Sequence, residues 1–105
     1  FSTITAEELK KKLDSGAKFR LIDVREPHEF DYCHIEGSES MPLGRIGQWG
    51  PGLNPEDEFV LLCHHGMRSQ QACMMLARNG FTNVTNLTGG IDQWSLNVDP
   101  EVRRY

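Results

Sequence analysis

The run Phe59-Val60-Leu61-Leu62 has no polar alternation, and it stops at Cys63-His64-His65-Gly66-Met67-Arg68-Ser69, which leads straight into a helical pattern from Gln70 to Asn79. A short unbroken apolar run reads as a strand buried on both faces. Glu58 to Leu62 is therefore expected to be an inner strand that delivers Cys63, through a short loop, to a helix N-terminus. The same alternation recurs on either side. Thr5 is a good N-cap with Glu8 three residues on, Ile4 can staple onto Leu9, and Gly16 follows the last turn, so a helix is predicted near Thr5 to Asp14. Phe19 to Val24 is a strand, and Glu26-Pro27-His28-Glu29-Phe30 enters a short helix.

After a connection at His34 to Ser38, Ser40-Met41-Pro42-Leu43 is read as a brief strand ended by its proline. Gly44 to Pro55 is mostly loop, with a helical turn at Ile46 to Trp49. Asn83 to Leu87 is a further strand, and Gly89-Gly90 opens a short helix from Ile91 to Trp94. Strands alternating with helices imply an α/β fold with a parallel sheet covered on both faces. Right-handed crossovers then put the strands' carboxyl ends along one rim. Cys63 and the segment Asp23-Val24-Arg25 both belong to that rim.

A chain of 105 residues is expected to form one domain, residues 1–105, with a core that needs neither disulfides nor metal. Its net charge of −4 argues against nucleic-acid or membrane-surface partners. No apolar stretch approaches the roughly 20 residues that span a bilayer. The three cysteines, Cys33, Cys63 and Cys73, form no CxxC pair, which fits neither a disulfide framework nor a zinc ribbon. They read as thiols of the cytoplasm or another reducing compartment. The chain begins at Phe1 without a methionine, so a preceding segment is expected to have been removed.

Cys63 is the residue with chemistry. At a helix N-terminus, backbone N–H groups and the helix dipole favour a thiolate. Cys73 shares a helix face with Leu76 and Ala77 and reads as core. Cys33 is the other thiol considered as a resolving partner. Trp94, Trp49 and Phe30 are expected to pack.

Four pieces in order carry a resemblance: Leu21-Ile22-Asp23-Val24-Arg25, His34-Ile35-Glu36-Gly37-Ser38, Cys63 to Ser69, and Gly89-Gly90-Ile91-Asp92-Gln93-Trp94. Together, over Ile4 to Trp94, the chain resembles the rhodanese (sulfurtransferase) domain family. The resemblance implies a mostly parallel sheet of about five strands, flanked by helices, and movement of sulfane sulfur through a cysteine persulfide. Two departures are Cys33, where glycine is usual, and Ser38, where alanine is common.

In the implied reaction the Cys63 thiolate attacks the outer sulfur of a small anionic donor such as thiosulfate, and sulfite leaves. A thiol, cyanide, a protein acceptor or a thioredoxin-like reductant then takes the sulfur, in two displacements with ping-pong kinetics. Amides from His64 through Met67 to Ser69 would hold the persulfide as an oxyanion hole holds oxygen, and Gly66 lets the loop turn. Arg68 either orients the donor's sulfonate or braces the loop. His64 and His65 are expected to contact the anion rather than carry protons or ligate a metal, and no metal or cofactor is called for. Asp23 is expected to brace the rim and Arg25 to assist anion binding.

Two rivals remain. Dual-specificity phosphatases that share this fold place five residues between their cysteine and arginine; here there are four, His64, His65, Gly66 and Met67. A phosphoryl group needs a wider ring of amides than one sulfur, so the shorter loop favours sulfur. The other rival is a persulfide carrier or regulatory binding module acting on a protein partner.

Overall fold

In the computed structural model, which describes residues 1–105, β1 (Ser2–Ile4), β2 (Arg20–Asp23), β3 (Ser38–Ser40), β4 (Phe59–Leu62) and β5 (Val84–Leu87) form one sheet in the order β1-β5-β4-β2-β3. Every neighbouring pair is parallel. The central strand is β4, aligned Val60 to Leu21 on one side and to Thr85 on the other. All four of its side chains are fully buried, as an unbroken apolar run requires. Burying each contributes about 1.5–3 kcal/mol.

Alternation along β4 divides the core. Phe59, Leu61 and Cys63 face Ala72, Cys73 and Leu76 of α4 (Met67–Arg78), together with Phe81. The short α3 (Ile46–Trp49) packs Ile46 and Trp49 against the same cluster. Val60 and Leu62 face Ala6 and Leu9 of α1 (Ala6–Asp14) and Ile91 and Trp94 of α5 (Gly90–Asn97). The remaining helix, α2 (Pro27–Tyr32), buries none of its residues and lies beside the sheet's carboxyl rim. The cysteines form no disulfide, and burial pushes the Cys73 thiol up to about 12. No helix is long and apolar enough to cross a membrane.

The Thr5 capping box forms as its sequence predicts, Glu8 N–H donating to Thr5 Oγ1 at 3.1 Å and Thr5 N–H to Glu8 Oε1 at 2.9 Å. The residues before it, however, are strand β1 rather than part of a helix start. Edge pairing with β5 aligns Ile4 with Leu87, and two of the three β1 residues are exposed, so no apolar pattern announces it. The third strand lies at Ser38–Ser40 instead of 40–43. It is polar and held by backbone pairing to β2, which Met41 N–H to Asp23 O and Leu43 N–H to Val24 O carry past its end. The sheet is wholly parallel. Helix α4 starts at Met67, three residues before the predicted start, which puts Arg68 and Ser69 in its first turn.

Candidate active site

Cys63 follows β4 directly, and the turn that returns the chain to α4 is Gly66, at φ +105°. A side chain there would be strained in this left-handed conformation, with its Cβ in contact with Gly89 N and Leu87 O at 3.4 Å. Three of the loop's carbonyls are anchored. Cys63 O accepts from Ile91 N–H at 2.9 Å, His64 O from Asp92 N–H at 3.1 Å, and Gly66 O from Gln70 N–H and Asn86 Nδ2 at 3.1 Å each.

No peptide bond is cis, so each anchored carbonyl aims the next residue's N–H the opposite way. The amides of His64, His65 and Met67 thus turn away from the residues that anchor the carbonyls. With those of Arg68 and Ser69, in the first turn of α4 where no helical acceptor exists, they donate to no group of the chain. Gly66 N–H donates to Cys63 Sγ at 3.1 Å, and Ser69 Oγ lies 3.4 Å from the same sulfur. Cys63 is thus a buried sulfur in a ring of N–H donors at a helix N-terminus, with the Ser69 hydroxyl oxygen beside it, an arrangement suited to a sulfur anion.

The Gly89-Gly90 pair has a physical reason in the same contact. A Cβ on Gly90 would sit 2.4 Å from both Cys63 O and His64 O, and both glycines have positive φ. Only there can the start of α5 approach closely enough to hold the loop's carbonyls. Asn86, a buried polar residue of β5, ties the loop from beneath, holding Gly66 O through Nδ2 and accepting from the Ser69 hydroxyl through Oδ1. Sequence reading missed Asn86; its signal is an amide in an inner strand, next to Leu87.

Side chains support the opposite flank. Arg68 grips Glu29 bidentately, Nη1 to Oε1 at 2.7 Å and Nη2 to Oε2 at 3.0 Å. The Tyr105 hydroxyl donates to Glu29 Oε2 at 2.7 Å and accepts from Arg25 Nη1 at 2.9 Å. Arg25 in turn pairs with Asp23, Nη2 to Oδ2 at 2.6 Å, and donates to Cys33 O at 2.7 Å. The Arg68 guanidinium holds the Glu29 carboxyl down at about 2, while burial pushes the Tyr105 phenol up to about 12. Neither Glu29 nor Tyr105 was expected at the site, because their partners are far away in sequence.

Several expectations change accordingly. Asp23 and Arg25 are not on the rim but beneath it, both fully buried, so Arg25 presents no guanidinium to a solvent anion. Of the two readings of Arg68, the side chain is seen bracing: it is occupied by Glu29. Cys33 packs in the core cluster on the α1 and α5 face of the sheet, whereas Cys63 belongs to the α4 face. Met67 opens α4 with its side chain outward, 76% exposed.

His64 is stacked between His65 and Tyr105, with centroids 3.9 Å away on each side. Burial, reinforced by His65, lowers its pKa and favours the neutral ring, and its Nε2 is buried without a partner. His65 is exposed and lies 3.8 Å from Asp92 Oδ2, and Asp92 Oδ1 accepts from Arg104 Nε at 2.9 Å. His64, His65 and Asp92 place ligand atoms within 4.8 Å of one another and are the group that could hold a metal ion. That set is one ligand short of a closed tetrahedral site, and its carboxylate is already engaged by Arg104.

The model of the rhodanese-like domain matches residues 5–97. The chain is 42% identical over 107 residues to the probable adenylyltransferase/sulfurtransferase MoeZ of Mycobacterium tuberculosis, a match covering 99% of the chain and 27% of that protein. It is 36% identical over 92 residues to the putative sulfur carrier protein YrkF of Bacillus subtilis, covering 88% of the chain and 50% of YrkF. The chain thus spans half or less of the length of these relatives. Among solved structures, the human single-domain sulfurtransferase TSTD1 superposes with a TM-score of 0.81 at 26% identity, covering 92% of the chain and 97% of TSTD1.

Proposed function

Because this chain belongs to the rhodanese-like domain family, we propose that it moves sulfane sulfur through a persulfide formed on Cys63, residues 1–105 acting as one domain. The observation that carries this reading is the donor ring. Gly66 N–H donates to Cys63 Sγ, and five further amides around the loop have no partner in the chain. Relatives that include a sulfurtransferase and a putative sulfur carrier support sulfur as the cargo.

In the first step the Cys63 thiolate attacks the outer sulfur of a donor such as thiosulfate. A new S–S bond forms at Sγ, the donor's S–S bond breaks, and sulfite departs with its electron pair. The negative charge then rests on the outer persulfide sulfur, where the amides of His64, His65, Met67, Arg68 and Ser69 receive it. In the second step a thiol or cyanide attacks that sulfur and the Cys63 thiolate is released. The carrier is the cysteine's own persulfide, so the reading assigns no cofactor and no metal. Three unpaired cysteines support a reducing compartment. A protein acceptor or a thioredoxin-like reductant fits the same chemistry, and the relatives that carry this domain within longer chains favour a protein partner.

Thiocyanate formation from thiosulfate and cyanide tests the reading. Wild type is expected to give parallel double-reciprocal plots and Cys63→Ser no product. Transfer that persists in a folded Cys63→Ser protein would overturn it, as would Cys63-dependent hydrolysis of an aryl phosphate without sulfur transfer.

A further inference from the structure

The arginines nearest the loop in the contact network are paired with carboxylates, at a site expected to take anions. Arg68, which follows the loop directly, spends both terminal nitrogens on Glu29. Asp92, on the α5 side, is paired to Arg104, and Arg25 beneath the rim to Asp23. Arg103 has no carboxylate and lies over the Tyr32 ring. Arg68, Arg104 and Arg25 each arrive with a carboxylate that cancels the charge. What attracts an anion is then the loop's amides and the α4 dipole, together equivalent to a fraction of a charge rather than a full one.

Glu29 is built to stay in this role. Besides the two bonds from Arg68, it accepts from the Tyr105 hydroxyl and from Glu26 N–H through the capping box of α2. Its side chain is only 12% exposed, so its charge is imperfectly screened by solvent.

Building on the persulfide reading above, we propose that Glu29 sets donor choice: by occupying Arg68 it withholds that cation from the donor, so that singly charged sulfane-sulfur donors are favoured over doubly charged ones. Glu29 is a positioning residue here, acting through Arg68 and touching no substrate. Thiosulfate and methanethiosulfonate form a matched pair of probes, differing by a methyl group in place of one charged oxygen. Each delivers the same sulfur by the same displacement. Thiosulfate, a dianion, leaves sulfite; methanethiosulfonate, a monoanion, leaves methanesulfinate. Atoms and charge balance in both, since the Cys63 thiolate becomes a Cys63 persulfide anion.

The test is the ratio of kcat/KM for thiosulfate to that for methanethiosulfonate, with cyanide as acceptor, across a charge cycle. Glu29→Gln, which leaves Arg68 uncompensated, is expected to raise the ratio by about fivefold to tenfold at low salt. Arg68→Gln, which leaves the carboxylate alone, is expected to lower it by a similar factor. The double variant restores neutrality and is expected to return the ratio to within about twofold of wild type. A bracing role alone scales both donors together, so unmoved ratios in the two single variants, with both donors still charging Cys63, would overturn the role of Glu29 and leave the persulfide reading intact. Absence of sulfur on wild-type Cys63 from either donor would instead overturn the reading on which the role rests.

Discussion

The Cys63 loop has two flanks built from different materials. On the α5 flank the supports are backbone: Ile91 N–H and Asp92 N–H hold the carbonyls of Cys63 and His64, and Gly90 lies where no Cβ fits. On the α2 flank the supports are side chains, a chain of contacts running from Asp23 through Arg25, Tyr105 and Glu29 to Arg68. The backbone flank fixes the loop's shape, because it decides which way the amides point. The side-chain flank adds stability and sets the charge the loop presents. Shape is therefore expected to be brittle and charge tunable.

Gly90→Ala breaks the comparison hardest. Its Cβ would meet two carbonyl oxygens at 2.4 Å in a left-handed conformation, so the start of α5 must move off the loop. A loss of about 3 kcal/mol or more is expected in urea unfolding, together with loss of sulfur transfer. Wild-type stability in this variant would contradict the account of the flank.

Asn86→Leu comes next. It keeps the volume of a buried side chain but removes the acceptor of the Ser69 hydroxyl and one of the N–H donors to Gly66 O, which keeps Gln70 N–H, an expected loss of about 2 kcal/mol by the same measurement. Transfer should fall with it, since Ser69 then loses its orientation beside Cys63.

Arg68→Ala is milder. The pair is partly exposed, and Glu29 keeps Tyr105 and Glu26 N–H, so a loss of about 1 kcal/mol is expected with the protein still folded. An unfolded Arg68→Ala protein would make the two flanks equals in holding the loop.

The smallest effect is one of pH. The folded-state pKa of Glu29 is lowered from 4.5 to about 2, so its contribution is fully present above the unfolded value and disappears as pH falls through about 2. The stability difference between wild type and Glu29→Gln should be flat from pH 7 to about 5 and shrink toward zero near pH 2. A difference that persists at pH 2 would mean the carboxylate charge is not what Arg68 and Tyr105 recognise.

The same division explains what could be read from the chain alone. The inner strands β2, β4 and β5, the cap of α1 and the Cys63 loop were legible, because each rests on local pattern: an apolar run, a capping box, a cysteine between strand and helix. Gly89-Gly90 was legible as a motif, though its reason, the close approach to the Cys63 and His64 carbonyls, needed the fold. Edge strands β1 and β3 escaped, or shifted, because backbone pairing rather than apolar side chains holds them.

The side-chain flank was hidden for a different reason. Glu29 meets Arg68 across 39 positions and Tyr105 meets Arg25 across 80, separations over which local pattern carries no signal. Arg25 misled most. An arginine at a strand end reads as a solvent-facing cation, yet pairing with Asp23 and Cys33 O satisfies it well enough to be buried.

Intact mass after incubation with thiosulfate, and with methanethiosulfonate, tests the central claim most directly, with Cys63→Ser, Cys33→Ser and Cys73→Ser alongside. Gain of a single sulfur atom by wild type, Cys33→Ser and Cys73→Ser, and none by Cys63→Ser, is the result expected of a persulfide held by the Cys63 loop. Sulfur gained by Cys63→Ser, or lost on replacing Cys33, would place the reactive thiol elsewhere and contradict the account.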